Sequence, residues 1–180
     1  MTVVCLDACV LYPTVLREIL MGCAARRLFR PVWSPRILEE WARATRKLGP
    51  GAEDVARAEI ALLRDRWPGS EVTPRAGDLV RLHLPDADDV HVLAAAIAGH
   101  AEILCTFNAK DFPRGILEQE GLRRLDPDQL LRGLLDRDAW AVRDVVTGVH
   151  ATAERLSGEV LPLRELLKRA RLPKIGKALG

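Results

Sequence analysis

The feature that most constrains the fold is an alternation of short apolar segments with helical patterns over the first 125 residues or so. Residues 2–6 and 101–107 are rich in β-branched and other apolar side chains, as buried strands are. Between them, apolar side chains recur with helical spacing after Pro13, after Ser34 and over residues 53–67. Strands that alternate with helices form a parallel sheet covered by helices on both faces, so we expect an α/β fold.

Capping residues mark several of the predicted helix starts. Ser34 is followed by Pro35, which predicts a helix start because Ser accepts bonds from free amides and Pro fits the first turn. Asp126, which precedes a proline, and Asp138 predict two further helix starts. The segment 90–98 is almost wholly apolar, and Gly99 follows it, so we expect a buried helix there.

The character of the chain changes near residue 125, because the sequence beyond it is almost wholly helical in pattern. We predict a domain over residues 1–125 and a helical C-terminal extension over residues 126–180, which is an addition to the first core and not a second domain. Whether this extension packs on the domain, forms a dimer contact or receives a helix of a partner stays open. Residues 164–180 form a basic tail with six basic residues and one acidic residue. Two roles for this tail stay open: contact with a phosphate-bearing partner, and an ordinary solvated end.

Composition excludes several classes of protein. A chain with 48% hydrophobic and 29% charged residues is not intrinsically disordered. The overall balance of 27 basic and 25 acidic residues excludes a uniformly basic coat for nucleic acid. No apolar run approaches the roughly 18 residues that span a bilayer, and residues 1–13 lack the basic start of a secretory signal. We therefore expect a cytoplasmic protein without membrane contact.

Acidic and amide side chains follow the two predicted core strands. Asp7 comes directly after the first strand, and Asn108 and Asp111 come soon after the strand at 101–107. Because ligands of parallel α/β sheets bind beyond the carboxyl ends of the strands, these side chains are candidates for a site.

A third acidic group consists of Asp86, Asp88 and Asp89, which precede the buried helix. One acid is enough to cap a helix, whereas three within four residues repel one another. A divalent cation between carboxylates relieves such repulsion, and Mg²⁺ and Mn²⁺ prefer oxygen ligands. Metal binding and simple capping both stay open on this pattern alone.

The helix that starts at Ser34 carries two adjacent acids in different positions. Glu40 flanks the apolar stripe and can point into a cleft, whereas Glu39 is rotated towards solvent. His91, two residues after Asp89, is expected on another face of its helix, packed or exposed, and receives no catalytic role.

Four segments together resemble the signatures of PIN-domain nucleases. Residues 7–11 look like the opening D-x-[NS]-[VI]-L, and residues 34–41 resemble the second-helix signature with its acid before a bulky apolar residue. Residues 89–96 are similar to the D-x-x-[IV]-x-A-A segment, and residues 106–112 to the T-x-[DN]-x-x-[DE]-F ending. The four segments occur in the family's order over roughly residues 2–115.

The resemblance implies a three-layer α/β/α sandwich around a central parallel sheet and a nuclease that uses Mg²⁺ or Mn²⁺ to cleave single-stranded or structured RNA. Many relatives are VapC-type toxins of bacterial toxin–antitoxin pairs, which implies an antitoxin partner and a homodimer. The residues in the metal-binding and catalytic positions are Asp7, Glu40, Asp89 and Asp111. The residues expected to support them are Thr106, through its hydroxyl, Asn108, beside Asp111, and Asp86, as an outer helper.

Two departures from the family pattern keep other functions open. Cys9 stands where Asn or Ser is usual, and Asn108 removes one negative charge. Both are compatible with a PIN-like binding scaffold without catalysis. A housekeeping nuclease that processes RNA with the same chemistry is a further alternative to a toxin.

Overall fold

The computed structural model describes residues 1–180. Its strands are β1 (Val3–Leu6), β2 (Arg30–Val32), β3 (Ile103–Cys105) and β4 (Arg123–Leu125). Its helices are α1 (Ala8–Leu11), α2 (Thr14–Ala25), α3 (Pro35–Ala44), α4 (Ala52–Arg66), α5 (Ala76–Arg81), α6 (Val90–Ala98), α7 (Arg114–Gln119), α8 (Pro127–Arg137), α9 (Ala139–Ser157), α10 (Leu163–Arg169) and α11 (Pro173–Leu179). None of these helices has both the length and the apolar character required to cross a membrane.

The four strands form one sheet in the order β2-β1-β3-β4, and every neighbouring pair is parallel. In the register of the sheet, Cys5 pairs with Val32 on one side and with Leu104 on the other. The carboxyl ends of β1 and β3 therefore lie side by side, and Asp7 and Thr106 follow them directly. The predicted fold class, a central parallel sheet with flanking helices, is confirmed.

The predicted helix starts are also confirmed. The Ser34 side chain accepts a hydrogen bond from the Ile37 amide, at 3.2 Å, at the start of α3. Asp126 and Gln129 exchange side-chain and backbone bonds in a capping box at the start of α8. Asp138 accepts a bond from the backbone amide three residues later at the start of α9.

Four elements were not predicted, and each has a physical reason. The helix α1 has only four residues, which is about one helical turn. The strand β4 has the sequence Arg-Arg-Leu, which lacks the apolar character of a core strand because it lies at the edge of the sheet. The helices α5 and α7 have six residues each. Fewer than two helical turns are too short to show a periodic pattern of apolar residues.

The hydrophobic core is continuous across residue 125. One cluster of 46 buried residues contains side chains of β1 and β3 together with Leu131 of α8, Val142 of α9 and Leu167 of α10. The helices after β4 thus pack on the same core as the sheet. The division into residues 1–125 and 126–180 stays a prediction.

The last helix is attached to α8 by a buried carboxylate. Asp128, in the first turn of α8, is only 5% exposed. Its two oxygens accept bonds from the backbone amides of Lys174, at 2.9 Å, and Ile175, at 3.0 Å. Since α8 begins directly after β4, this attachment holds the start of α11 near the carboxyl edge of the sheet.

Candidate functional site

Asp7 lies at the carboxyl end of β1 and is fixed by three donors. Its Oδ1 accepts a bond from the Ala8 amide at 2.7 Å, and its Oδ2 accepts bonds from the Thr106 hydroxyl at 2.7 Å and the Cys9 thiol at 3.4 Å. The residue is 8% exposed. Burial raises the pKa of Asp7 above its ordinary value, although these hydrogen bonds favour the ionised form.

The loop after β3 connects three of the acidic residues. Thr106, which holds Asp7, also accepts a bond from the Asn108 amide at 3.0 Å. The side-chain amide of Asn108 donates to Asp89 Oδ2 at 3.1 Å, and its Oδ1 accepts from the backbone amide of Asp111 at 3.3 Å. Thr106 and Asn108 therefore set the relative positions of Asp7, Asp89 and Asp111.

Asp86, Asp89 and Asp111 form an acidic cluster, in which one carboxylate oxygen of each lies within 4.8 Å of the other two. Burial, followed by the negative charges of Asp7, Asp86, Asp111 and Glu40, raises the pKa of Asp89 to about 6. The cluster does not include Asp7 or Glu40, whose charges nevertheless act on Asp89. All five acids thus contribute to one region of negative potential.

Glu40 reaches this region from α3. Its Oε1 lies 2.6 Å from His91 Nε2 and 3.6 Å from Arg36 Nε. His91 is 3% exposed, and neither of its ring nitrogens makes a hydrogen bond of good geometry. His91 is therefore packed, and sequence reasoning missed its contact with Glu40, because the partner comes from a different helix.

The Cys9 thiol contacts two polar side chains of the site, those of Asp7 and Thr106. Its Sγ lies 3.5 Å from the Thr106 hydroxyl, and it accepts a bond from the Phe107 amide at 3.4 Å. Burial and the charge of Asp7 raise the pKa of the Cys9 thiol to about 12. The thiol is therefore neutral near pH 7, and Cys9 is a weak hydrogen-bonding partner, not a nucleophile.

Arg124 is a positioning residue that sequence reasoning missed. Its guanidinium donates to the carbonyl oxygens of Ala109 and Phe112, at 2.7 Å each. These bonds fix the loop that carries Asp111. The sequence offers no signal for this role, because β4 itself was not recognised.

The donors at the site fit a hard divalent cation. The acidic cluster offers carboxylate oxygens, which Mg²⁺ and Mn²⁺ prefer. Burial and, to a smaller extent, the neighbouring negative charges raise the pKa of Asp89, and a bound cation would counteract both effects. By distance, Asp86 lies with Asp89 and Asp111 as a possible ligand, whereas Asp7 and Glu40 lie outside that group.

Comparison with known proteins gives two matches. A family model described as PIN domain matches residues 3–110, a stretch that contains Asp7, Glu40 and Asp89. The putative ribonuclease VapC50 of Mycobacterium tuberculosis (strain ATCC 25618 / H37Rv) is 39% identical over 61 residues, which are 34% of this chain and 36% of that protein. The match thus spans about a third of the relative's length. No solved structure matches the chain significantly.

Proposed function

The chain belongs to the PIN domain family, and we propose that it is a nuclease that hydrolyses phosphodiester bonds in RNA with Mg²⁺ or Mn²⁺. The observation that carries this proposal is the convergence of acids from four separate parts of the chain beyond the strand ends. The matched relative, whose name describes a putative ribonuclease, supports RNA as the substrate.

The residues proposed to hold the cation are Asp7, Glu40, Asp89 and Asp111. The distances within the acidic cluster favour Asp86 as a further ligand. When bound, the cation supplies charge neutralisation at the phosphodiester and a lowered pKa for a water molecule. No residue of the chain needs to serve as a nucleophile in this chemistry.

The surrounding side chains hold the carboxylates in place. Thr106 donates its hydroxyl proton to Asp7, and Asn108 donates an amide proton to Asp89 Oδ2. Each carboxylate oxygen has two lone pairs, so both acids retain acceptor capacity for a ligand. We propose that Thr106 and Asn108 are positioning residues, whose donors orient the two acids.

We also propose that the chain is the toxin of a bacterial toxin–antitoxin pair, with an antitoxin protein as partner and the cytoplasm as location. The name of the matched VapC relative supports this role. Expression should then arrest growth, and the product of a neighbouring gene should relieve the arrest. Growth without arrest would favour a housekeeping nuclease.

A homodimer stays part of the proposal, and sedimentation of the purified protein tests it.

Cleavage assays with single substitutions test the nuclease proposal. Asp7→Asn and Asp89→Asn should each lower the cleavage rate of a labelled single-stranded RNA by at least about 100-fold, since each removes a charge from the proposed metal site. Asp88→Asn is the matched control, because it removes one charge from the same turn at an exposed residue outside the acidic cluster. Circular dichroism checks that all variants fold.

Two results would contradict the proposal. Full activity of Asp89→Asn would exclude its carboxylate from the chemistry. A folded wild-type protein that cleaves no RNA and shows no heat of Mn²⁺ binding by calorimetry would instead favour the non-catalytic scaffold.

A further inference from the structure

The C-terminal helices place one cation against the loop that carries Thr106 and Asn108. Arg171 lies in the basic tail, outside the residues that match the family model. Its guanidinium carbon is 3.7 Å from the centroid of the Phe107 ring. The side chain is exposed and makes no ion pair and no hydrogen bond. The stack therefore holds a guanidinium whose five N–H donors are all available to a ligand.

The position of Phe107 defines where this cation lies. Phe107 stands between Thr106, which bonds to Asp7, and Asn108, which bonds to Asp89. Arg171 is thus one side chain away from the loop that holds both acids. Arg171 forms an ion pair with neither Asp7 nor Asp89, so its positive charge is available to a ligand.

The attachment of the tail makes this position a property of the fold. Asp128 holds the first turn of α11 through two backbone amides, and Arg171 lies two residues before that helix begins. The backbone of Arg171 has a φ of 62°, which is costly for a residue with a side chain. This conformation ends α10, where the Leu172 amide donates to the Leu167 carbonyl. The end of α10 and the buried carboxylate therefore fix the backbone on both sides of Arg171.

We propose that Arg171 binds a backbone phosphate of the RNA, next to the phosphate at the acidic cluster, so that the C-terminal extension forms one side of the substrate path. This inference rests on the proposed function. A guanidinium suits the role because it binds phosphate through two parallel N–H donors. The acidic cluster repels the strand without its cation, and a fixed positive charge beside it offsets that repulsion.

The test is RNA binding by the full chain, measured by fluorescence anisotropy with a labelled single-stranded RNA in EDTA, which prevents metal-dependent cleavage. Arg171→Gln should reduce the slope of log K against log salt by about 0.7, the value for one phosphate contact on a single strand. It should raise the Kd about fivefold at about 0.1 M salt, with little dependence on RNA sequence. Arg171→Lys should retain part of the binding, because the charge remains while the fork is lost.

Arg137→Gln is the matched control, since Arg137 is exposed, makes no ion pair, and ends α8, about 15 Å along the helix axis from its start. Its Kd and salt slope should equal those of the wild type. Equal values for Arg171→Gln and the wild type would overturn the contact while leaving the nuclease proposal intact. A wild-type protein that binds RNA but never cleaves it with Mg²⁺ or Mn²⁺ would contradict the proposed function and leave the contact supported.

Discussion

At the scale of single residues, Asp89 is the acid whose charge state should respond most directly to the proposed cation, because other carboxylates surround it. Four other carboxylates raise its pKa in addition to burial, and only one side-chain donor, the amide of Asn108, contacts it. Asp7 has three donors. The pKa of each acid is nevertheless raised by burial, so the ionised form of both would be stabilised by a cation.

The raised pKa of Asp89 predicts how the stability of the protein depends on pH. Because the pKa of Asp89 rises from 3.8 to about 6 on folding, the folded protein binds more protons than the unfolded chain within that window. The contribution of Asp89 to the free energy of unfolding thus falls as the pH rises through the window. Mg²⁺ should raise the Tm more at about pH 7.5 than at about pH 5, where protonated Asp89 competes with the ion.

Thermal unfolding in EDTA and in excess Mg²⁺ measures the effect. Asp89→Asn should abolish most of the difference between the two pH values, whereas the control Asp88→Asn should preserve it. A Tm increase of equal size at both pH values would show that Asp89 is not part of the ion's site.

At the scale of elements, the packing of α2 on α9 depends on one glycine. A Cβ built on Gly22 would lie 2.6 Å from Val145 Cγ1, which is closer than real Cβ atoms approach. The absence of a side chain at Gly22 therefore lets the two helices come into contact. The chain after residue 125 is thus packed against an early helix of the domain.

This contact predicts opposite effects for two similar substitutions. Gly22→Ala should lower the free energy of unfolding by about 1–3 kcal/mol through overpacking. Gly133→Ala in α8 is the control, because nothing lies within 4 Å of its added Cβ, and it should stabilise by up to about 1 kcal/mol through helix propensity. Urea unfolding measures both. Adding Val145→Ala to Gly22→Ala should recover part of the loss, and a purely additive double variant would refute the contact.

At the scale of the whole molecule, the opposite charges of the chain are arranged on neighbouring parts of the surface. Acids gather beyond the ends of β1 and β3, while the basic tail is attached to the start of α8. Asp128 makes this attachment through the amides of Lys174 and Ile175, and the buried side chains of Leu172 and Ile175 add apolar contacts with the core.

Asp128→Ala should release α11 while the sheet and its core stay folded. Loss of two backbone hydrogen bonds to a buried carboxylate should cost about 1–3 kcal/mol. Hydrogen exchange at residues 172–180 should increase, and RNA binding should weaken as in Arg171→Gln. Asp136→Ala is the control, since Asp136 is exposed and pairs with Arg132 on the same helix, a contact that contributes little. Unchanged exchange at α11 in Asp128→Ala would show that other contacts hold the tail.

The sequence by itself determined the α/β class, the main strands and the capped helix starts. The apolar runs at β1 and β3 and the caps at Ser34 and Asp126 are local signals, because each depends on neighbours within a few residues. The acids after the strand ends were also predictable from local signals. When the strands are parallel, their carboxyl ends lie at one edge of the sheet, and the acids that follow them meet there.

Only the tertiary structure decided which side chains come into contact. Three contacts join elements that are distant in the sequence. They are the approach of His91 to Glu40, the bonds from Arg124 to the loop that carries Asp111, and the stack of Arg171 on Phe107. The grouping of Asp86 with Asp111 has the same origin. Such distances depend on how helices pack on the sheet, and packing is set by the whole core and not by any short segment.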